Sequence, residues 1–266
     1  MGGRRVLVTG DRGVLGSEVT RLAQLRGWEV KGLRRGADDA GGGLDMVALA
    51  ECLSDWAEGP DPGLDLLVYC ASARSAGRLE HVPPALAATS IRVDLEGTVN
   101  SVRLALPLLQ RRSGSAAIIV SSMAAFHGVP SFASYAAAKA GQLAFAQALS
   151  MELADGPPSI VTLVLGTLDG DGMAKTEFWT AGGRARLGQM RPFRFFRSAD
   201  TPLSVERVAE RILEPHRRSR TIYLPGSLVW LHRIARFAPG MIRLFMRLYE
   251  TRRLRPALVD EPRSEF

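Results

Sequence analysis

The sequence predicts a doubly wound α/β fold, a mainly parallel seven-stranded sheet with helices on both faces. Three observations carry this. Apolar β-branched runs alternate with segments of helical period along most of the 266 residues. The candidate strands read as continuous apolar runs, as strands covered on both faces do. No linker or internal repeat divides the chain, and its length suffices for one large core.

Arg5–Thr9 is the first predicted strand, and Val14–Arg26 a helix with Leu15, Val19, Leu22 and Leu25 inward, closed by Gly27. Trp28–Leu33 is the second strand. Leu44-Asp45-Met46 is a short third, leading into a helix that ends near Trp56. The turn-rich Gly59–Gly63 introduces the fourth, Leu64–Cys70. A long helix runs from Pro84 to about Leu109, then come strand Ala116–Ser121, helix Ser134–Leu153 and strand Ser159–Leu165. Gly166–Pro202 reads as an irregular functional loop carrying Phe178, Trp179, Phe193, Phe195 and Phe196. Helix Val205–His216 and strand Thr221–Leu224 complete a catalytic domain expected over residues 1–226. Residues 227–266 hold two apolar and basic helices, Leu228–Ala238 and Met241–Arg253, parted by Pro239-Gly240.

Composition narrows the function classes. The chain is 46% hydrophobic and 23% charged, which excludes disordered and collagen-like architectures. Its two cysteines, Cys52 and Cys70, have no disulfide framework or ligand spacing and read as small core residues in a reducing compartment. Four histidines without paired spacing give no metal site. The N-terminal Met1–Arg5 runs straight into a strand, with no apolar signal region, and Val6 breaks a myristoylation pattern. A cytoplasmic location is expected, with peripheral membrane contact the further option. The net charge of +7 is uneven: 13 Arg and 3 Lys meet 19 acids in residues 1–183, whereas 18 Arg meet 8 acids in residues 184–266. Basicity therefore belongs to the C-terminal third.

Thr9-Gly10-Asp11-Arg12-Gly13-Val14-Leu15-Gly16 ends the first strand and opens the first helix, where a dinucleotide pyrophosphate docks on free N–H groups. Gly10 suits the tight turn, Gly13 close approach of the diphosphate, and Gly16 packing of helix on strand. An NAD site would place an acid at the end of the second strand. Here Arg34 and Arg35 follow that strand and Arg12 lies in the turn, so a 2′-phosphate and hence NADP(H) is favoured over NAD(H). Arg34 and Arg35 could equally be solvated turn residues. Asp45 is placed either to meet the adenine edge or to cap a helix.

Tyr135 and Lys139 stand at i and i+4 on one helical face, with Ser121-Ser122 at the end of a strand thirteen residues before Tyr135. With these motifs the chain resembles the short-chain dehydrogenase/reductases, from Val6 to about Gly226. The matching segments are the glycine turn, Leu44-Asp45-Met46, Asp65–Ala71, Val93–Gly97, Ser121-Ser122 and Tyr135–Lys139. The resemblance implies a Rossmann-type fold and a catalytic set of Ser122, Tyr135 and Lys139, with Asp94 where the family has Asn. It further implies cofactor contacts at Gly10, Arg12, Gly13, Leu15, Gly16, Arg34, Arg35, Asp45, Met46, Ala71, Tyr135, Lys139 and Gly166. In the implied chemistry a hydride passes between nicotinamide and a carbonyl carbon. Tyr135 is the general acid or base, Lys139 favours its phenolate and binds ribose hydroxyls, and Ser122 hydrogen-bonds the substrate oxygen.

Departures mark a divergent member. Asp94 lacks the amide donor of the family Asn, though it retains the backbone carbonyl that supports a water-mediated proton relay. Tyr69-Cys70-Ala71-Ser72 replaces Asn-Asn-Ala-Gly and so removes two sheet-tying amides. Leu165-Gly166 replaces Pro-Gly, and Gly170 stands in for a Thr, changing contacts to the carboxamide. The glycine spacing is that of the family's extended members, whereas the length fits its short ones. The expected activity is NADPH-dependent reduction of a ketone or the reverse oxidation of a secondary alcohol. A non-redox proton-transfer enzyme of the epimerase or dehydratase kind, and a nucleotide-binding scaffold without turnover, are the alternatives.

The substrate is expected to be a small, lipophilic carbonyl or alcohol compound, from the aromatic loop beside greasy helices. His127 is either a pocket residue or a bystander. A homodimer or homotetramer is expected. The C-terminal helices could pack on the domain, cover the cleft, form a subunit contact or lie on anionic lipid. Nucleic acid is not an expected partner, since these helices are too apolar for a solvated basic face.

Overall fold

A computed structural model describes residues 3–33, 44–74, 76–169, 177–180, 183–186 and 202–249. The elements of the first half are β1 (Arg5–Thr9), α1 (Val14–Leu25), β2 (Glu29–Leu33), α2 (Met46–Ala57), β3 (Leu66–Tyr69), β4 (Ala76–Gly77), α3 (Pro84–Ser90) and α4 (Gly97–Leu109). Then come β5 (Ala116–Ser122), α5 (Ala133–Glu152), β6 (Ser159–Leu165), β7 (Glu177–Thr180), β8 (Gly183–Arg186), α6 (Val205–Ile212), β9 (Arg220–Leu224), α7 (Leu228–Phe237) and α8 (Pro239–Tyr249).

Six parallel strands form the central sheet, in the order β2-β1-β3-β5-β6-β9. Side chains alternate across it. Leu7, Leu67, Tyr69, Ala117 and Ile119 face the layer of α2, α4 and α5, with Leu49, Trp56, Val102 and Ala146 packed on them. Val6, Val8, Leu66, Val68 and Ile118 face α1 and α6, through Leu15, Val19, Val208 and Ile212. Helices thus cover both faces, which is why the strands read as unbroken apolar runs.

Five expectations need correction. The sheet has six strands among the described residues, not seven. Leu44–Met46 forms no strand because Asp45 caps α2, its Oδ1 accepting from Val47 N at 3.1 Å and Ala48 N at 2.9 Å, so the helix starts at Met46. Leu25 is 72% exposed. It lies two residues past the buried Ala23, which at about 100° per residue is nearly the opposite side of α1. The segment after Gly166 is not wholly irregular: β7 pairs with β8 and, in parallel, with β4, where Ala76 meets Phe178 and Gly77 meets Trp179. Pro239 does not merely interrupt the last two helices but opens α8, where its missing N–H costs nothing. Phe193, Phe195, Phe196 and Gly170 lie outside the described residues.

The expected long helix from Pro84 to Leu109 is present as α3 and α4, joined without a break by a π-helical turn, Ile91–Glu96. Such a turn adds a residue to one helical coil and is often found where a side chain must be aimed. Here that residue range contains Asp94. Among the described residues no helix is long and apolar enough to cross a membrane, and no cluster of three or more His, Cys, Asp or Glu could hold a metal.

Candidate active site

The C-terminal ends of parallel strands are where ligands of open α/β sheets bind. At the end of β1, Gly10 takes φ +70°, and a Cβ there would lie 2.8 Å from the Ala71 backbone at the end of β3. A Cβ on Gly16 would fall 2.2 Å from the Gly10 carbonyl oxygen. Glycine at these two positions lets turn, helix and neighbouring strand close into a tight cradle. Gly13 stands exposed at the N-cap of α1, and the first N–H groups of that helix, Leu15's among them, have no intrahelical acceptor. The Leu15 side chain points away into the core, so only its backbone can serve a ligand. This cradle fits a dinucleotide pyrophosphate.

Arg12 is exposed at the rim of the turn. Arg34 and Arg35 lie outside the described residues. Sequence reasoning overlooked Asp11, whose carboxylate occupies the space beside Gly32 near the end of β2: a Cβ on Gly32 would meet Asp11 Oδ2 at 2.3 Å. An acid therefore approaches the end of β2 from the turn, although the strand itself supplies none. Asp45 spends Oδ1 on capping α2, and Met46 begins that helix packed against the core. Ala71 N donates to Thr9 Oγ1 at 3.3 Å, and Gly166 N to Leu224 O at 2.8 Å.

The two serines of β5 divide their work, as neighbours on a strand must. Ser121 is buried and donates to Lys139 O at 3.2 Å, fastening strand to helix. Ser122 is only half-buried, and its Oγ accepts from Ala124 N at 3.3 Å, which leaves the hydroxyl proton for another acceptor. On α5, Tyr135 is half-buried and Lys139 lies one turn on, its Nζ 5.6 Å from the centre of the Tyr135 ring. Phe132 packs edge-on against Tyr135 at 6.5 Å.

Lys139 is 2% exposed and Asp94 fully buried, and they form an ion pair of 2.7 Å. Lys139 Nζ also donates to Val120 O at 3.0 Å, so one of three ammonium protons remains. Asp94 is held in turn by Ser72, whose hydroxyl donates to Oδ1 at 2.7 Å, and by Ala73 N, which donates to Oδ2 at 2.9 Å. Charged groups this deep are tolerated only when paired and hydrogen-bonded, and here both conditions are met. The nearby Cys70 thiol is pushed up to about 12 by loss of water, against the pull of Lys139, so it remains neutral. Asp94 is therefore the counter-ion of Lys139.

The Asp94 carbonyl differs from the expectation set by the resemblance. Gln142 Nε2 donates to it at 2.6 Å and Thr98 Oγ1 at 2.5 Å, and these two donors fill both lone-pair directions. No acceptor capacity is left there for a relay water. The loss of the family's sheet-tying amides is made good by other groups. The Tyr69 hydroxyl donates to Val93 O in the π-helical turn, and Ser72 reaches Asp94. Burial beside Asp94 keeps that phenol protonated. Gln142 and Thr98 went unnoticed in the sequence, yet their spacing was informative. Gln142 is three residues past Lys139 and seven past Tyr135, and Thr98 four past Asp94, each on a shared helical face.

His127 follows the short turn after Ser122, and burial pushes its imidazole pKa down. Just before it, Phe126 packs against His232 of α7 at 4.4 Å and Tyr223 of β9 at 5.6 Å, joining the loop after β5 to the C-terminal hairpin.

Comparison with known proteins bears on the family and the fold. The family model for short chain dehydrogenase matches residues 45–179. The chain is 28% identical over 191 residues to the probable oxidoreductase EphD of Mycobacterium tuberculosis, covering 69% of this chain and 32% of that protein. It is 28% identical over 167 residues to nodulation protein G of a Rhizobium species, covering 57% and 68% respectively. The chain thus spans about a third of the length of the first of these relatives. Among solved structures, a short-chain dehydrogenase of Streptomyces avermitilis superposes with a TM-score of 0.69 at 18% identity, over 94% of this chain and 97% of that one. A short-chain dehydrogenase of Burkholderia cenocepacia in complex with NADP does so with the same score and identity, over 92% and 98%.

Proposed function

The chain belongs to the short-chain dehydrogenases, and on that premise we propose that it reduces a carbonyl compound to a secondary alcohol with NADPH, or runs the reverse oxidation. The observation that carries the reading is the placement of Ser122 at the C-terminal end of β5, Tyr135 beside Lys139 on the helix packed against that strand, and a glycine cradle at the same end of the sheet. The cradle and the N-terminus of α1 would hold the pyrophosphate, and the remaining Lys139 proton would meet a ribose hydroxyl. Bound nicotinamide supplies the hydride.

The protein's own residues handle the charge and the proton. Ser122 donates a hydrogen bond to the substrate oxygen as negative charge develops there. Tyr135 passes its phenolic proton to that oxygen, and Lys139 stabilises the resulting phenolate. Asp94 is a positioning residue: it fixes the ammonium but, with its carbonyl occupied, offers no water site. Arg12 favours the 2′-phosphate of NADP(H). Asp11, near the end of β2, opposes it, while Arg34 and Arg35, which follow that strand in the sequence, add to it.

The test is NADPH oxidation across a panel of aldehydes and ketones, with NADH in parallel. Tyr135→Phe is expected to lower kcat/KM by about 10²- to 10⁴-fold while NADPH binding persists. Arg12→Ala is expected to raise KM for NADPH and leave that for NADH unchanged. Tight NADPH binding without oxidation by any carbonyl would refute the reductase reading and leave a non-redox proton-transfer enzyme or a binding scaffold.

A further inference from the structure

Between Ser227 and Tyr249 the chain carries Arg233, Arg236, Arg243 and Arg247 and no acid. Helix α7 buries Leu228 and Leu231, and α8 buries Ile242 and Met246, all in one cluster with Val164 of β6. Because both helices bury against the same cluster, their opposite faces both turn away from the domain. On α7 that face presents Trp230, Arg233, Arg236 and Phe237; on α8 it presents Met241, Arg243 and Leu244. Trp230, Phe237, Met241 and Leu244 are between 61% and 80% exposed. The Arg233 guanidinium lies over the Trp230 ring at 4.9 Å.

We propose that the α7–α8 hairpin docks the protein on the surface of an anionic lipid bilayer. Ten and eleven residues are too few to cross a membrane but enough to lie in its interface. The exposed aromatic and aliphatic side chains enter the boundary between headgroups and acyl chains, and the arginines meet lipid phosphates. The charge pattern selects this occupant over a second copy of the chain. A two-fold contact would set an arginine face without acids against itself, whereas an anionic surface complements Arg233, Arg236 and Arg243.

The hairpin adjoins the site through its domain-facing side, where His232 of α7 packs on Phe126, four residues beyond Ser122. A lipophilic carbonyl compound drawn from the bilayer would then arrive beside Tyr135. That substrate class rests on the proposed reductase activity, but docking does not.

The test is co-sedimentation of the full chain with vesicles of phosphatidylcholine alone and with phosphatidylglycerol added to about one-third. Binding to the anionic vesicles is expected, with weak binding to the neutral ones. The triple variant Arg233→Glu, Arg236→Glu, Arg243→Glu is expected to lose binding by about 100-fold or more. Phe237→Ser with Leu244→Ser is expected to lose it by at least about tenfold. All five side chains are exposed, and unchanged circular dichroism and NADPH binding would show that each variant is folded.

Equal binding to both vesicles, no binding, or anionic binding unaltered by the variants would overturn the proposal. So would a dimer in solution that Phe237→Ser with Leu244→Ser dissociates, without vesicle binding by the parent chain. Failure on vesicles leaves NADPH-dependent reduction of soluble carbonyls untouched, and failure of reduction leaves the vesicle result standing.

Discussion

Asp94→Ala removes the counter-ion from a Lys139 ammonium that is almost wholly buried, and it strips an acceptor from Ser72 and Ala73 N. Breaking a buried pair from one side costs about 3–5 kcal/mol, mostly from the charge left behind. With an unfolding entropy of about 2.1 cal/mol/K per residue, a chain of 266 residues loses roughly 5–9 °C in Tm. Lys139→Met leaves the opposite charge alone and is expected to cost a similar amount. The double variant has neither charge to strand, so its destabilisation should fall short of the sum by at least about 2 kcal/mol. Urea unfolding followed by circular dichroism near neutral pH measures all four corners of the cycle. Additivity to within about 0.5 kcal/mol would refute the pairing and with it the positioning role of Asp94. Asp94→Asn adds a kinetic readout. Its single carbonyl oxygen can serve Lys139 and Ser72, but its amide then faces Ala73 N donor to donor. The expected result is a fall in kcat by about tenfold or more with little change in KM for the carbonyl compound.

Gly97 packs so closely on Tyr69 that a Cβ there would lie 2.2 Å from the phenol oxygen. Gly97→Ala is expected to destabilise by about 1–3 kcal/mol, and by less than about 1 kcal/mol when combined with Tyr69→Phe, as read from urea midpoints. His216 is buried and bonded through Nε2 to Ile212 O at 3.1 Å, and loss of water pushes its pKa below the usual histidine value. His127 is shifted the same way. Below about pH 6.5 the unfolded chain binds protons that the folded one does not, so stability is full above that pH and declines below it. Each histidine contributes a slope of at most about 1.4 kcal/mol per pH unit. His216→Gln is expected to flatten the dependence of the urea midpoint between pH values near neutral and mildly acidic, and an unchanged slope would show that His216 is not involved.

The fold was legible because its signals are local. Val6–Thr9, Leu66–Tyr69 and Ser159–Leu165 are apolar runs that leave no exposed face, and the glycine turn marks where strand gives way to helix. Leu44–Met46 misled because an apolar-acid-apolar triplet fits a strand end and a capped helix start alike; the two cap bonds to Asp45 decide it. Leu25 misled because leucine spacing alone ignores that the small Gly16 and Ala23 can carry a buried stripe. In the proposed site, Ser122, Tyr135 and Lys139 stood out by their spacing together with the family resemblance. The partners of Asp94 were not, since Ser72, Ala73, Thr98 and Gln142 reach it from three separate elements.

Those partners give the departures from the family pattern a common physical cause. A carboxylate at position 94 needs a cation and further donors, and Lys139, Ser72 and Ala73 N provide them. Engaging the Asp94 carbonyl needs donors on both sides, and Gln142 and Thr98 supply these, with Gln142 Nε2 also 2.7 Å from Thr98 Oγ1. The phenol of Tyr69 restores a tie between sheet and helix, and only glycine at position 97 leaves room for it. Asp94, Tyr69 and Ser72 are thereby coupled, and changing one of them alone to the family type strands a neighbour. Asp94→Asn alone should therefore impair the protein even though it restores the common residue, and gain of function on that change would contradict the coupling.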